Sequence, residues 1–142
     1  MNKLILATLI AATAPAMANT NATFDLTTPE IRSITVSESH GSIGTGNMWG
    51  DAVEFTVTSN KADETTTSVL VSTAITGVNA DKASHFATHV NDTFVLTGES
   101  ENIPHDVNVD SPNEVHVKTS LQDRELTAGS TRAVVTLTLP AQ

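Results

Sequence analysis

Apolar and polar residues alternate with a period of two along most of this chain. The last long run, Thr131–Leu139, follows a turn-forming Ala-Gly-Ser and places Val135, Leu137 and Leu139 on one side, with threonines between them. This alternation is typical of a β-strand with one buried face and one solvated face. The run raises the question of which strand lies beside it, and whether that strand belongs to the same molecule.

Seven further runs have the same period and are separated by clusters of Gly, Pro, Asn and Asp that indicate turns. The runs are Ala22–Thr27, Arg32–Ser37, Ala52–Ser59, Thr67–Ile75, Thr93–Thr97, His105–Asp110 and Glu114–Thr119. Thr and Val recur throughout, and both favour strands. We predict an all-β, immunoglobulin-like antiparallel β-sandwich of about seven or eight strands. Asn79–Val90 fits either a short helical turn or a loop.

The N-terminus has the layout of a secretory signal peptide. A short basic segment, Met1–Lys3, precedes the apolar run Leu4–Ala12, and Ala16–Ala18 fits the small-x-small cleavage rule. The apolar run is too short to span a bilayer, which takes about 20 residues. We therefore expect residues 1–18 to be removed on export, leaving one domain, 19–142, with no membrane insertion.

Composition narrows the partners of that domain. Without residues 1–18, six of the seven basic residues remain beside sixteen acidic ones. Because such a surface repels nucleic acid and anionic membranes, we expect neither as a partner. The chain has no cysteine, so an exported domain of this sequence depends on packing or on a partner rather than on disulfides.

Two patterns carry weak signals for a metal. Asp106, Asn108 and Asp110 alternate as at the start of a calcium loop, but the positions that need Gly and Glu hold Ser111 and Val117. The valines between the acids favour the wet face of a strand instead.

The histidines give the second signal. His85 and His89 would share a helix face, yet the HExxH glutamate and a third ligand are missing. We expect no metal, no cofactor and no catalytic residues, since no nucleophile elbow or cysteine nucleophile is present. A rival interpretation, an enzyme assembled from loops, would draw on the histidines: His40, His85, His89, His105 and His116.

Gly41–Gly50 contains four glycines but lacks the ending of a phosphate loop and no helix follows it. We interpret it as a long turn that folds Trp49 over one end of the core. A loop that displays Trp49 for binding is the alternative.

The segment after the cleavage site allows two interpretations. Ala22, Phe24 and Leu26 point one way, and Pro29 then interrupts any hydrogen-bonding ladder. The segment is either the first strand of its own sandwich or an arm, residues 19–28, that pairs with a neighbouring molecule. Eight extended residues reach on the order of 27 Å, enough to lie along a full strand.

The closing "STRAVVTLTL", the signal peptide, the chain length and the Thr/Val-rich sandwich resemble subunits of bacterial chaperone–usher fimbriae. The cysteine-free branch, similar to colonisation-factor fimbriae, fits best, although the chain ends in Pro140–Gln142 rather than with the penultimate Tyr common in that family. The resemblance implies a fold without its final strand. A periplasmic chaperone fills the open groove first, and the N-terminal arm of the next subunit then replaces it.

The resemblance therefore implies a structural subunit of a surface fibre that serves adhesion or biofilm formation. Its partners would be identical or related subunits, the chaperone and an outer-membrane usher, and it would pass through the periplasm to the cell surface. Expected donor residues are Ala22, Phe24 and Leu26, and expected groove residues are Val135, Leu137 and Leu139. The alternative is a stand-alone secreted β-sandwich binding module, for example one that binds sugar or matrix in a calcium-dependent way.

Overall fold

A computed structural model describes residues 22–37 and 40–141 of the 142-residue chain. The predicted signal peptide, 1–18, and residues 19–21 of the predicted arm lie outside the described residues. The described part is an antiparallel β-sandwich of two sheets, which confirms the predicted fold class, with nine strands rather than seven or eight. Within these ranges, no helix has both the length and the apolar character to cross a bilayer.

The larger sheet has the strand order β1-β3-β8-β5-β6, and a short strand, β2, pairs with β8. Its strands are β1 Arg32–Val36, β2 Ile43–Gly44, β3 Val53–Ser59, β5 Phe86–Val90, β6 Thr93–Leu96 and β8 Asn113–Thr119. The smaller sheet has the order β7-β4-β9, formed by β4 Thr66–Gly77, β7 Ser100–Asp106 and β9 Thr131–Thr138. All pairs are antiparallel except β2–β8. Two 3-10 helices, Ala80–His85 and Asp123–Glu125, lie in connections.

The core lies between the sheets and consists mainly of aliphatic residues from alternate strand positions. Its buried members include Phe55, Val57, Val69, Val71, Val90, Val95, Ile103 and Val115. The period of two places these side chains on inner faces, while the threonines and serines between them face outward. The β5–β6 hairpin turns at Asn91, whose φ of 52° is tolerated by asparagine better than by most residues.

Six predicted strands are confirmed within two residues at either end, and two are wrong. Ala22–Thr27 forms no strand. The predicted His105–Asp110 strand is replaced by β7, which ends at Asp106 because Asn108 adopts a φ of 58°. Where a helical turn or a loop was expected, a 3-10 helix leads directly into β5.

The two ends of the sandwich differ in what they carry. β1 begins opposite Ser59, next to the loop that joins β3 to β4, and β9 runs towards this same end. We call it the arm end. At the opposite end, the far end, β4 finishes opposite Thr131, where β9 begins.

Candidate functional site

Strand β9 pairs along one of its edges with β4. Its residues pair with β4 from Gly77–Thr131 to Leu70–Thr138. Among the described residues, no strand pairs with its other edge. The smaller sheet therefore stops at β9 and leaves part of the larger sheet's inner face uncovered.

A groove of about 1080 Å³ fills the place beside β9. The larger sheet contributes its floor, and β9 forms one wall while the first strands form the other. Its apolar lining includes Val36, Ile43, Val53, Phe86, Val115, Val117, Val135 and Leu137. The groove is thus an exposed continuation of the hydrophobic core.

Burial changes abruptly from β4 to β9. Three side-chain pairs on the inner face of the small sheet are Val71–Leu137, Thr73–Val135 and Ile75–Ala133. Each member on β4 is at most 8% exposed, whereas each member on β9 is only half-buried. The inner face of β9 lacks a cover on the groove side.

The opposite wall has the same asymmetry. Phe55 and Val57 on β3 are fully buried, but their β1 partners are not. Val36 is 44% exposed and Ile34 is half-buried. An extended peptide with apolar side chains at alternate positions would cover both walls at once.

The structure places the predicted groove residues as follows. Val135 and Leu137 line the groove. Leu139 lies just past the end of β9, half-buried against the core.

The predicted donor residues, Ala22, Phe24 and Leu26, all lie on the surface. The segment 22–31 belongs to no helix or strand, and Phe24 and Leu26 are 92% and 90% exposed. The segment is not a strand of its own sandwich in this structure.

Asn60 fixes the place where this segment joins the domain. Its side-chain amide donates to the Pro29 carbonyl at 2.9 Å, and its Oδ1 accepts from the Ile31 amide at 2.6 Å. The Asn60 amide also donates to the Ile31 carbonyl at 3.0 Å. The arm is therefore held at Pro29–Ile31 by the β3–β4 loop.

An ion pair strengthens the same junction. Arg32 Nε and Nη2 donate to the two Glu64 carboxylate oxygens at 3.0 and 2.6 Å, a bidentate geometry. The Ser59 hydroxyl donates to Glu64 as well. These hydrogen bonds, with Arg32 first, hold the pKa of the Glu64 carboxyl below its usual value. The loop between β3 and β4 thus anchors the arm.

The other sequence candidates do not assemble into a metal site. The side chain of Asn108 is bonded to the backbone of Ser59 rather than grouped with Asp106 and Asp110. Its Oδ1 accepts from the Ser59 amide at 3.0 Å, and its Nδ2 donates to the Ser59 carbonyl at 2.8 Å. His85 ends a 3-10 helix and His89 lies on β5, so they do not share a helix face. In the described ranges, no three His, Cys, Asp or Glu side chains are grouped to hold a metal.

Trp49 lies elsewhere than predicted. It stacks on His89 on the outer face of the larger sheet, with ring centroids 5.1 Å apart, rather than closing one end of the core. Phe94, His116 and Lys118 adjoin it. Sequence spacing gave no signal for this cluster, since its members come from a loop and three separate strands.

No family model, curated protein or solved structure significantly matches this chain. The groove and the arm therefore carry the functional argument by themselves.

Proposed function

We propose that this chain is a structural subunit of a bacterial surface fibre, assembled by donor-strand exchange and serving adhesion or biofilm formation. The arm of one subunit would enter the groove beside β9 of the next. The supporting observation is that one chain carries both an uncovered apolar groove and an unpaired arm with two exposed apolar side chains.

The lengths of arm and groove are compatible. The groove follows β9 from Thr131 to Leu137, roughly 20 Å at the rise of a strand. The arm from Ala22 to Thr28 has the same number of residues and also spans roughly 20 Å when extended. One arm would therefore cover the wall formed by β9.

The geometry also gives a direction. The arm leaves its own domain at the arm end, whereas β9 runs from the far end to the arm end. In a head-to-tail stack, the arm would enter a neighbour's groove from that neighbour's far end and lie antiparallel to β9. Pro29, which has no amide hydrogen, would then stay at the mouth of the groove, outside the ladder.

The energetic gain would come from both sides of the junction. Burial of Phe24 and Leu26 would contribute roughly 1.5–3 kcal/mol each. The half-buried Val135 and Leu137 would be covered at the same time, and the outer edge of β9 would gain backbone hydrogen bonds. Because the outer edge of β9 in one subunit would be paired by the arm of another, the partners would be identical or related subunits.

The remaining parts of the proposal come from the resemblance to subunits of chaperone–usher fimbriae. As in that family, a periplasmic chaperone would occupy the groove first, and an outer-membrane usher would serve the exchange for the next subunit's arm. Export would depend on residues 1–18, and the assembled product would be at the cell surface.

Deletion of Asn19–Thr27 tests the proposal. We expect the deleted chain to fold as a monomer but to form no fibres in electron micrographs and no denaturant-resistant ladder on gels. The exchange Asp25→Asn, on the opposite side of the arm from Phe24, serves as the matched control and should leave assembly intact. Fibres that persist without Asn19–Thr27 would contradict donor-strand exchange.

A stand-alone binding module is the second candidate, favoured by the exposed rings around Trp49. The calcium-dependent form of it would require Asp106 and Asp110 to stabilise the chain through the ion. A melting temperature that rises with added calcium, and does not rise in Asp106→Asn, would favour that form.

A further inference from the structure

A cluster of rings and cations lies on the outer face of the larger sheet, on the side away from the groove. We call it the Trp49 platform; its members are Trp49, His89, Phe94, His116 and Lys118. Strand register aligns His116, His89 and Phe94 in one row across β8, β5 and β6. Lys118 belongs to the adjacent row.

The members of the Trp49 platform are close enough to act as one surface. The ring centroid of Trp49 is 5.1 Å from that of His89 and 5.7 Å from that of Phe94. Lys118 Nζ lies 4.2 Å from the Trp49 ring centroid and 5.4 Å from that of Phe94. These distances are in the range of cation–π contacts.

Two glycines place the indole there. A Cβ on Gly44 would lie 1.8 Å from the Met48 carbonyl oxygen, and one on Gly50 would lie 1.9 Å from the Ser42 carbonyl oxygen. Because no side chain fits at either position, the loop can close tightly enough to hold Trp49 against the sheet. The platform thus depends on a specific backbone arrangement.

Large apolar groups are exposed at this platform and beside it. Trp49 is 39% exposed, Phe94 56% and its neighbour Leu96 52%. Outward positions of β3, by contrast, hold the polar residues Glu54 and Thr58. An exposed apolar patch rimmed by polar groups is typical of an interaction site.

The charge of the platform is unbalanced. Arg32 and Lys61 are paired with glutamates, but Lys118 makes no ion pair with any residue that the structure describes. His89 has a lowered pKa, because burial opposes its charged form and because His116 and Lys118 are nearby, while Asp92 acts in the opposite sense. Lys118 therefore supplies the positive charge that would meet a bound anion. Two carboxylates lie near the histidines: Glu114, 3.3 Å from His116 Nε2, and Asp92, whose charge acts on His89.

We propose that the Trp49 platform binds an acidic saccharide. The C–H groups on one face of a pyranose ring would pack on Trp49 and Phe94, and the carboxylate or sulfate of the sugar would accept hydrogen bonds from Lys118. The net charge of −9 disfavours a long polyanion, which would meet the acidic surface beyond the platform. A short oligosaccharide with one local negative charge fits best.

This site is separate from the groove. Val115 and Val117 of β8 face the groove, whereas the alternate residues His116 and Lys118 face the platform. A subunit in an assembled fibre would therefore retain its saccharide site, and fibre assembly and sugar binding are tested independently.

Fluorescence of Trp49, the single tryptophan of the chain, provides a direct measurement. The full chain is titrated with sialyllactose, with a uronic-acid disaccharide and with a sulfated disaccharide, each beside its neutral counterpart. We expect a saturable change of emission with at least one acidic sugar and at least tenfold weaker binding of its neutral counterpart. No saturable change with any acidic sugar, or equal binding of the neutral one, would overturn the proposal.

Two lysine variants complete the test. Lys118→Gln should weaken binding of the acidic sugar at least tenfold without changing the melting temperature. Lys61→Gln, at the arm end of the molecule, should bind as the unaltered chain does. Equal affinities of Lys118→Gln and the unaltered chain for the acidic sugar, measured by calorimetry, would refute the assignment. We expect Lys118→Gln to form fibres as the unaltered chain does, which would separate a loss of sugar binding from a loss of fibre assembly.

Discussion

Val71 and Leu137 lie opposite each other on the inner face of adjacent strands, yet Val71 is fully buried and Leu137 is only half-buried. Cross-strand neighbours on one face normally share their environment. The difference places the boundary of the covered core between β4 and β9. Several measurable properties depend on that boundary.

The first prediction compares two valines of equal size. Val71→Ala should lower the free energy of unfolding of the monomer by roughly 2 kcal/mol, since it removes fully buried methyl groups and leaves a cavity. Val135→Ala should cost less than half as much, because that side chain faces the groove. Urea unfolding of the monomer measures both. Equal losses would show that β9 is already covered in the isolated chain.

The second prediction concerns the arm. Phe24 is 92% exposed, so Phe24→Ala should leave the stability of the monomer unchanged. If Phe24 enters a neighbour's groove, the same exchange should weaken the junction by roughly 1.5–3 kcal/mol, or about 10- to 100-fold in affinity. The guanidinium concentration that dissociates the fibres reports this change.

Asp25→Ala is the control for that experiment, since Asp25 lies on the opposite side of an extended arm. It should dissociate at the concentration found for the unaltered chain. Equal sensitivity of the two variants would remove Phe24 from the junction.

The third prediction is a loss of stability in mild acid. His105 is 2% exposed, and its Nε2 has no hydrogen-bond partner among the described residues. Burial lowers the pKa of His105, against the hydrogen bond with Asn113 and the charge of Asp106, which raise it. The unfolded chain therefore takes up the proton first, and stability should fall as the pH drops below about 6.5, the ordinary value for histidine.

Chemical denaturation at several pH values between 7.5 and 5 measures this effect. His105→Gln should give a shallower fall than the unaltered chain, although not a flat one, because the pKa of His89 is also lowered. His85→Gln, an exposed histidine, should retain the full slope. The prediction fails if His105→Gln and the unaltered chain have the same slope.

The fourth prediction concerns the anchor of the arm. Asn60→Ala removes the side-chain hydrogen bonds to Pro29 and Ile31, each worth about 1 kcal/mol. We expect faster hydrogen exchange at the Ile31 amide and a melting temperature lower by several degrees. Asn102→Ala, an exposed asparagine on β7, is the matched control and should not alter exchange at Ile31. Unchanged exchange in Asn60→Ala would mean that other contacts hold the arm.

Strict alternation in the sequence predicted most strands, including β4 and β8, although Thr73 and Thr119 are buried polar residues on their inner faces. It failed at β5, where Phe86 and Val90 are four residues apart and so imitate a helical face. The inward residue between them is Thr88, a polar side chain that is buried and bonded to the Thr73 hydroxyl at 2.6 Å. A polar residue satisfied by a distant strand cannot be recognised from its neighbours in sequence.

Strand β7 was misplaced for a related reason. Its buried residues are Ile103 and His105, and Pro104 lies between them. The proline is tolerated because β7 is an edge strand of the smaller sheet in the part of the chain that the structure describes. The valines that suggested a strand, Val107 and Val109, lie instead in a bend, where Val109 is 41% exposed. The alternation was present, but the backbone at Asn108 does not follow it.

The candidate sites divide in the same way. Alternation in the sequence marked Val135 and Leu137 as a strand face, but their half-burial depends on what lies beyond β9. The position of Trp49 could not be predicted from the sequence, because it depends on contacts between a glycine-rich loop and three strands that are distant in sequence.

The uncovered edge of β9 can also pair with peptides other than the arm of a neighbouring subunit. Any extended apolar peptide could form backbone hydrogen bonds with this edge and bury its side chains in the apolar groove beneath it. Other unfolded chains would compete for the groove from the moment the domain folds. We therefore expect the subunit to aggregate whenever the groove beside β9 is left unoccupied.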